Sequence, residues 1–291
     1  MDEPLGAAEP WPAPGKLNLF LHVVGRREDG YHLLQTAFQF IDLADHIRFF
    51  ARPAGTIERR VDLPGIRPGE DLTLRAARVL AEHCGRVPGA SIELVKRLPV
   101  QGGVGGGSSD AATVLVALNE LWHCGLSGPE LMELARGLGA DVPVFVGGRA
   151  AWAEGVGERL TPVDFPERTY LLIQPDAGVD TAGVFQDPEL TRDSPIITIS
   201  GFLQSGGRND CEPVVRRRQP VVAEALDWLG EVAAARLTGT GSCVYAAMPD
   251  EERARAVLRQ VPARWRGWVV RGLNRSPLED RRLRERGRIR G

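Results

Sequence analysis

The sequence predicts an α+β protein of two domains, covering residues 1–160 and 161–291. The length of 291 residues exceeds that of an average single domain, which is roughly 150 residues. Segments with strand and helix patterns alternate irregularly, which favours α+β over a regular doubly wound sheet. Residues 160–169 carry two prolines near the middle of the chain and form the predicted domain boundary.

Local patterns place the elements in order along the chain. Runs rich in β-branched and aromatic residues predict strands at 16–24, 37–43, 46–50, 91–95, 170–174, 243–248 and 268–271. Apolar residues at helical spacing predict helices at 71–84, 108–123, 129–137, 221–235 and 251–261. The second of these helices is apolar around much of its circumference and is expected to be buried. Two apolar pieces, 142–146 and 149–154, lie between the predicted helix at 129–137 and the predicted domain boundary.

The two ends of the chain are predicted to lack firm structure. Residues 1–15 are rich in Pro, Ala and Gly and are expected to form a loose lead-in. Residues 251–291 contain 13 Arg and five acidic residues. From residue 279 onward this basic segment is expected to be a solvated, frayed end rather than a site for an acidic partner.

Composition excludes several classes of protein. The net charge of −2 argues against a chain built to bind nucleic acid. No run approaches 18 apolar residues, so no membrane span is expected. The first residues lack the pattern of a signal peptide, which indicates a cytoplasmic location. The cysteines Cys84, Cys124, Cys211 and Cys243 lie far apart without metal-ligand spacing, so we expect reduced thiols and no structural zinc.

Lysine is unusually rare in this sequence. Of 36 basic residues only Lys16 and Lys96 are lysines, and the others are arginines. A lysine supplies a compact charge on a flexible stem, whereas arginine supplies a planar fork. The two lysines adjoin the two most unusual segments of the chain, which makes them candidate functional residues, although both could have survived by chance.

A glycine-rich segment is the most informative part of the sequence. Five of the six residues 102–107 are glycine, and Ser108, Ser109 and Asp110 follow as good N-cap residues. Bare N–H groups that lead into a helix N-terminus bind anions, so this segment predicts a triphosphate site. Ser108 and Ser109 could donate to phosphates or lie near Mg²⁺. The segment is neither a Walker A loop nor a Rossmann fingerprint, which disfavours a dinucleotide enzyme.

Residues 99–112 resemble the phosphate-binding motif of the GHMP kinases, which include galacto-, homoserine, mevalonate and phosphomevalonate kinases. Residues 12–32 resemble a narrower branch of this family, whose acceptor is 4-diphosphocytidyl-2-C-methyl-D-erythritol. Further motifs of that branch lie at 139–145, 155–158, 185–190, 209–213, 239–243 and 274–277. The resemblance therefore covers about residues 10–278.

The resemblance implies a two-lobed GHMP kinase fold with the active site in the cleft. An N-terminal lobe like domain 2 of ribosomal protein S5 would bind ATP, and a ferredoxin-like C-terminal lobe would bind substrate. The implied reaction moves a phosphoryl group from ATP to the 2-hydroxyl of the methylerythritol moiety, in the non-mevalonate isoprenoid pathway. Mg²⁺ would be carried by the nucleotide and not by a metal site of the protein. No nucleic-acid or membrane partner is implied, and a homodimer is left open.

The resemblance also assigns residues to the chemistry. Asp141 matches the proposed base for the acceptor hydroxyl, and Lys16 matches an active-site lysine whose ammonium would favour the charged carboxylate. Asn18 follows two residues later on the same strand face and would hold substrate. Lys96 would lie near the adenine. The rest of the nucleotide site is assigned to Pro99, Val100, Gln101, Gly102, Gly103, Val104, Gly105, Gly106, Gly107, Ser108 and Ser109.

A cytosine pocket is assigned to Tyr31, His32 and Phe185, because aromatic rings supply stacking faces for a base. Thr181 joins the substrate residues by alignment alone. Without the resemblance, Tyr31 and Phe185 would be interpreted as core residues. Asp141 would equally fit a turn or helix cap, and Lys96 a solvated strand end.

Other features and functions stay open at this point. Gly239 and Gly241 could let the backbone approach the substrate or the first glycine loop, or be purely structural. Gln101 stands where many family members have Gly or Ala and could alter the nucleotide fit. One alternative function is another GHMP kinase, for mevalonate or homoserine, although those acceptors have no base to stack on Tyr31. The other alternative is an inactive nucleotide-binding or regulatory protein.

Overall fold

The computed structural model describes residues 3–7, 9–62, 69–85 and 88–290. Among these residues the strands are β1 (Trp11–Arg26), β2 (His32–Ala51), β3 (Ile57–Arg59), β4 (Ala90–Val95), β5 (Ala151–Gly155), β6 (Arg159–Pro162), β7 (Thr169–Gln174), β8 (Ala235–Leu237), β9 (Val244–Met248) and β10 (Arg266–Leu273). The pairs that they form are antiparallel except for β3 with β4. The predicted α+β class is confirmed.

The helices of the described residues are α1 (Leu72–His83), α2 (Gly106–Leu121), α3 (Gly128–Leu138), α4 (Val142–Gly147), α5 (Thr181–Gln186), α6 (Ile199–Ser205), α7 (Glu212–Arg218), α8 (Pro220–Gly230), α9 (Glu251–Leu258) and α10 (Pro277–Arg290). None of them is long and apolar enough to cross a membrane. The sequence did not predict the three short helices α5 to α7. It also did not predict that the apolar piece at 142–146 is helical. A helix of about two turns shows too little periodicity to be recognised.

The strands join in one ten-stranded sheet. Its main order is β3-β4-β2-β10-β7-β9-β8, with β1 on β2 and with β5 between β2 and β6. The last strand, β10, pairs with β7 along six residues and with β2 through Gly272 and Leu273. A strand from the end of the chain therefore joins the strands of the two halves.

Two large apolar clusters lie on either side of this junction. The first surrounds α2, in which all residues from Ser109 to Glu120 are buried, as predicted for this helix. The second is formed by β7, β9 and α8 and contains Leu171, Val244 and Leu226. The cleft between the halves is lined by residues of β1, β2, α2 and α5 together with residues of connecting loops.

The prediction of a loose lead-in over residues 1–15 is wrong in its second half. Strand β1 begins at Trp11, which is buried and pairs with Ile47. The prolines Pro12 and Pro14 lie within the strand. Prolines are tolerated near the start of an edge strand, and β2 is the strand with which β1 pairs in the described sheet.

The prediction of a frayed basic end is also wrong. Residues 277–290 form α10, which packs on β1 and α2. Arg281 is 1% exposed and forms an ion pair of 2.7 Å with buried Glu285. Arg286 forms one of 2.7 Å with Glu120 of α2. A charge-rich helix with partners on other elements has no apolar stripe, so its sequence resembles that of a solvated tail.

The prediction of four reduced cysteines is corrected as well. Cys84 and Cys124 form a disulfide with their Cα atoms 4.7 Å apart, within the range for such bonds. They follow the ends of α1 and α2, which pack side by side, although 40 residues separate them in sequence. Cys211 and Cys243 are buried free thiols, in agreement with the prediction.

Candidate active site

A cavity of about 720 Å³ lies between the two halves of the molecule. Its walls come from β1, β2, the first turn of α2, the start of α4, and α5. Ten of the predicted catalytic, substrate and phosphate residues line it together: Lys16, Asn18, Tyr31, His32, Gly103, Gly105, Ser108, Asp141, Thr181 and Phe185. Residues far apart in the sequence therefore share one cavity.

Lys16 and Asp141 form the charged end of the cavity. Lys16 Nζ lies 3.4 Å from Asp141 Oδ2 and donates to Asn18 Oδ1 at 2.5 Å and to Gly103 O at 3.0 Å. The lysine side chain is 3% exposed, whereas that of Asp141 is 35% exposed. The ammonium is thus held by the protein, while the carboxylate stays open to the cavity.

Asp141 occupies the N-cap position of α4, and its side chain makes no capping hydrogen bond. The side-chain cap of the alternative interpretation is therefore not formed, and the catalytic role of Asp141 stays a prediction. The backbone before Val142 instead positions the carboxylate beside Lys16. Apart from the ion pair of Oδ2 with Lys16, the uncapped carboxylate is open to a ligand.

Asn18 has its side-chain groups committed within the protein. Its Oδ1 accepts from Lys16, and its Nδ2 donates to Thr36 Oγ1 at 2.9 Å. Thr36, on β2, also lines the cavity and donates to Phe20 O. This threonine was missed, because a threonine in a strand pattern is ordinary. Asn18 lies on the same side of β1 as Lys16, as predicted from their spacing.

The glycine-rich loop is held from behind by the second glycine motif. The amides of Ser242 and Cys243 donate to Gln101 O and Gly102 O, each at 3.2 Å. Gly103 has a φ of +73°, and a Cβ there would clash with Thr238 O and lie 2.9 Å from Gly241 O. The predicted close approach of residues 239–241 to the first loop is therefore confirmed.

The helix after the loop begins earlier than predicted. Gly105, with a left-handed φ of +74°, is the N-cap of α2, and Ser109 N donates to its carbonyl at 2.8 Å. Ser108, Ser109 and Asp110 are not caps, because they already lie in the first turn. The first amides of the helix have no partner within it, and Ser108 lies at the cavity. These amides have the arrangement that the glycine pattern predicts for an anion site, and the binding of phosphate there stays a prediction.

Lys96 lies outside this cavity, behind the loop. Its Nζ donates to Asp45 Oδ2 at 2.5 Å and to Asp110 Oδ2 at 2.8 Å. Burial raises the pKa of Asp110 to about 8, with a further contribution from Asp45, and Lys96 counteracts both. Lys96 is thus no solvated strand end, since it joins two buried carboxylates. Its contact with adenine stays a prediction.

The opposite end of the cavity is aromatic. The rings of His32 and Phe185 lie 5.2 Å apart, and Tyr31 is 65% exposed beside them. An arginine that the sequence did not single out, Arg192, donates to His32 Nε2 at 3.1 Å. Burial lowers the pKa of His32, and the charges of Arg192 and Arg26 lower it further.

Two remaining residues lie at the edge of the site. Thr181 Oγ1 is 2.8 Å from Thr240 Oγ1 and joins α5 to the second glycine motif. Gln101 has a φ of +53° and lines an adjoining cavity of about 580 Å³, together with Gly178. Its side chain does not enter the larger cavity. Among the described residues no group of three His, Cys, Asp or Glu could hold a metal ion.

Comparison with known proteins agrees with this fold and site. The family "GHMP kinases N terminal domain" matches residues 71–149, and "GHMP kinases C terminal" matches residues 196–267. A mevalonate kinase from Methanococcus jannaschii has the same fold, with a TM-score of 0.66 at 16% identity over 90% of this chain and 97% of that chain. The fold and the site thus define a GHMP kinase. The exact boundary predicted at residue 160 stays a prediction.

Closer relatives define the branch. Proteins from Nitrosococcus oceani and Halorhodospira halophila, both named 4-diphosphocytidyl-2-C-methyl-D-erythritol kinase, are each 55% identical to this chain. The alignments cover 93% and 92% of this chain and 96% and 94% of the relatives. A crystal structure of 4-(cytidine 5'-diphospho)-2C-methyl-D-erythritol kinase superposes with a TM-score of 0.80 at 33% identity, covering 90% of this chain and 98% of that chain. The chain belongs to the 4-diphosphocytidyl-2-C-methyl-D-erythritol kinase family and is a small-molecule kinase.

Proposed function

We propose that this kinase transfers the γ-phosphoryl group of ATP to the 2-hydroxyl of 4-diphosphocytidyl-2-C-methyl-D-erythritol. The products are the 2-phosphate and ADP, in the non-mevalonate route to isoprenoid precursors. One observation carries the proposal: a single cavity has the Lys16–Asp141 pair at one end and the aromatic residues Tyr31, His32 and Phe185 at the other. A substrate with a hydroxyl to phosphorylate at one end and a pyrimidine at the other fits this arrangement.

Asp141 acts on the acceptor hydroxyl. Its open carboxylate orients the hydroxyl and accepts its proton as the oxygen attacks the γ-phosphorus in line with the leaving ADP oxygen. Lys16 keeps the carboxylate in place and is anchored to Gly103 O of the phosphate loop. The acceptor and the phosphate loop are therefore held by one side chain, which favours their alignment.

The phosphates of ATP bind at the glycine loop. The amides of Gly106, Gly107 and Ser108 at the start of α2 supply donors for the negative oxygens of the phosphates. Mg²⁺, carried by the nucleotide, would neutralise charge on the transferred group. Ser108 lies at the cavity, whereas Ser109 Oγ is buried and has no hydrogen-bond partner among the described residues, so Ser108 is the better candidate for a phosphate contact.

The pyrimidine binds between aromatic rings at the other end. Tyr31 is exposed and presents a free face, and Phe185 packs near His32. Stacking of a base on such a ring contributes about 1–3 kcal/mol. We further propose that the enzyme is cytoplasmic, as expected for a bacterial metabolic kinase. A homodimer stays a prediction.

The test is an assay of ADP release with ATP and Mg²⁺. The acceptors are 4-diphosphocytidyl-2-C-methyl-D-erythritol, mevalonate and homoserine, with a control that lacks an acceptor. We expect release only with the first acceptor, and a 2-phosphate product by phosphorus NMR. Preference for a smaller acceptor would instead support another GHMP kinase. ATP binding without transfer to any acceptor would support the inactive binding protein.

A further inference from the structure

Arg192 is anchored by four hydrogen bonds at the aromatic end of the cavity. It donates to the carbonyls of Leu190, Phe185 and Asp187 at 3.0, 2.9 and 2.8 Å. The remaining bond runs from its Nε to His32 Nε2 at 3.1 Å. The guanidinium therefore fastens His32 of β2 to the segment that carries Phe185.

The chemistry of arginine decides which nitrogen of His32 carries the proton. A guanidinium has only donors, so His32 Nε2 must be the acceptor of this bond. A neutral imidazole whose Nε2 accepts carries its proton on Nδ1. Within the described part of the chain Nδ1 has no hydrogen-bond partner, and His32 lines the cavity. The Nδ1–H group is therefore a donor without a protein acceptor.

The surrounding charges keep this ring neutral. Burial lowers the pKa of His32, and two positive groups from different elements, Arg192 and Arg26, lower it further. A doubly protonated ring would place an N–H group against the guanidinium of Arg192. The neutral form with its proton on Nδ1 is thus the one that the contacts support.

We propose that Arg192 is a positioning residue that sets the tautomer of His32, so that its Nδ1–H donates to an acceptor atom on the edge of the bound pyrimidine. This inference rests on the proposed function for the identity of the ligand. Arg192 does not touch the pyrimidine itself. It acts through His32. Its bonds to Phe185 O and Asp187 O also fix the position of the segment with Phe185 relative to His32.

The first measurement is the tautomer of His32 in the wild-type protein and in Arg192→Met. Nitrogen-15 NMR of the imidazole reports which nitrogen is protonated, and His32→Asn identifies the signal among five histidines. We expect a protonated Nδ1 in the wild type and a mixture of tautomers in Arg192→Met. A wild-type proton on Nε2, or an unchanged ring in Arg192→Met, would overturn the proposal.

The second measurement is the affinity for cytidine 5'-diphosphate by calorimetry, in a double-mutant cycle with His32→Ala. Arg192→Met should weaken binding about five- to tenfold, the value of one hydrogen bond. In the His32→Ala background the same change should have less than about a twofold effect, because Arg192 acts through the histidine. Equal losses in both backgrounds would mean that Arg192 only supports the fold of the pocket.

The matched control is Arg217→Met. Arg217 bonds to the same segment, at Asp187 Oδ1 (2.6 Å) and at Glu189, but does not contact His32. It should leave both the tautomer and the affinity unchanged. Arg192→Lys keeps the charge and controls for a folding defect in Arg192→Met. It should give an intermediate tautomer ratio and an intermediate affinity. A wild type that has Nδ1 protonated yet binds no cytidine diphosphate would show that the proposed acceptor substrate is wrong. The ligand assigned to His32 would then be wrong as well. The tautomer set by Arg192 would still be established, so the two failures can be told apart.

Discussion

Lys16 Nζ lies 3.4 Å from Asp141 Oδ2 across the cleft, although 125 positions separate the two residues in sequence. The same ammonium donates to Asn18 Oδ1 and Gly103 O. Of the three donors of the ammonium, two are used by these hydrogen bonds, and Asp141 is held as an ion pair. One buried lysine thus joins the carboxylate of the acceptor side to the backbone of the phosphate loop, and this relation underlies the first prediction.

Asp141→Asn should lower kcat by about 10²–10⁴, the usual contribution of a general base. The amide keeps the shape of the carboxylate but cannot accept the proton of the hydroxyl. ATP affinity should stay unchanged, since Asp141 faces the acceptor. Steady-state kinetics and nucleotide titration measure both effects. Asp164→Asn, which removes an exposed carboxylate paired with Arg149, is the control. Near-normal turnover in Asp141→Asn would remove Asp141 from its role.

Gly103→Ala should destabilise the protein and impair catalysis. Its φ of +73° is strained for alanine, and the new Cβ would clash with Thr238 O and Gly241 O. We expect a loss of about 1–3 kcal/mol or more in the free energy of unfolding in urea. Gly137→Ala in α3 has no neighbour within 4 Å and should be neutral or stabilising by up to about 1 kcal/mol. Equal stability of the two variants would argue against the close packing of the glycine loops.

Tyr31→Ala and Phe185→Ala should raise KM for the cytidylylated acceptor more than KM for ATP. Each removes a stacking surface at the aromatic end of the cavity, worth about 1–3 kcal/mol per base. Ile196→Ala, which changes an exposed apolar residue outside the cavity wall, serves as control. A larger loss in ATP affinity than in acceptor affinity would overturn the assignment of the pocket.

Arg281→Met should destabilise the protein by about 3–5 kcal/mol, because it removes the buried partner that lies 2.7 Å from the buried carboxylate of Glu285. Replacing both residues with methionine should recover much of that loss, since no isolated charge then remains. Arg288→Met is the control, because Arg288 is 61% exposed and lies 3.8 Å from the same carboxylate. The midpoint of urea unfolding measures all three. An unchanged unfolding midpoint in Arg281→Met would mean that α10 is not packed on the rest of the protein in solution.

Thiol titration tests the cysteine pairing. Cys211 and Cys243 are fully buried, and burial raises the pKa of the Cys211 thiol to about 12. The folded protein should therefore show no rapidly reacting thiol, and protein unfolded without reductant should show two. Reductant should raise the number to four. Because disulfides are rare in the cytoplasm, protein from cells should be alkylated at lysis. Four alkylated cysteines in that sample would show that Cys84 and Cys124 are reduced in the cell.

Much of the fold and site could be predicted from local pattern. The helix at Gly106–Leu121, the glycine loop before it and the strands at Thr169–Gln174 and Val244–Met248 follow from periodicity and turn residues that act over a few positions. Lys16 stood out because lysine is rare here, and Asp141 because of the motif around it. The signals of the phosphate site are contained in neighbouring residues, which is why one sequence was enough to indicate it. The kinase reaction and the role of Asp141 were implied by the resemblance to the GHMP kinases.

Contacts between distant segments could not be predicted in this way. Arg192 reaches His32 and Asp45 reaches Lys96 only because separate elements are folded together. The same reason explains the errors at the chain ends and at Cys84, where burial and pairing depend on a partner elsewhere in the chain. Local sequence specifies which backbone conformations and which chemical groups are available. The folded chain specifies which of those groups meet, because charge pairing, tautomer and cysteine oxidation depend on distances of a few ångströms between them.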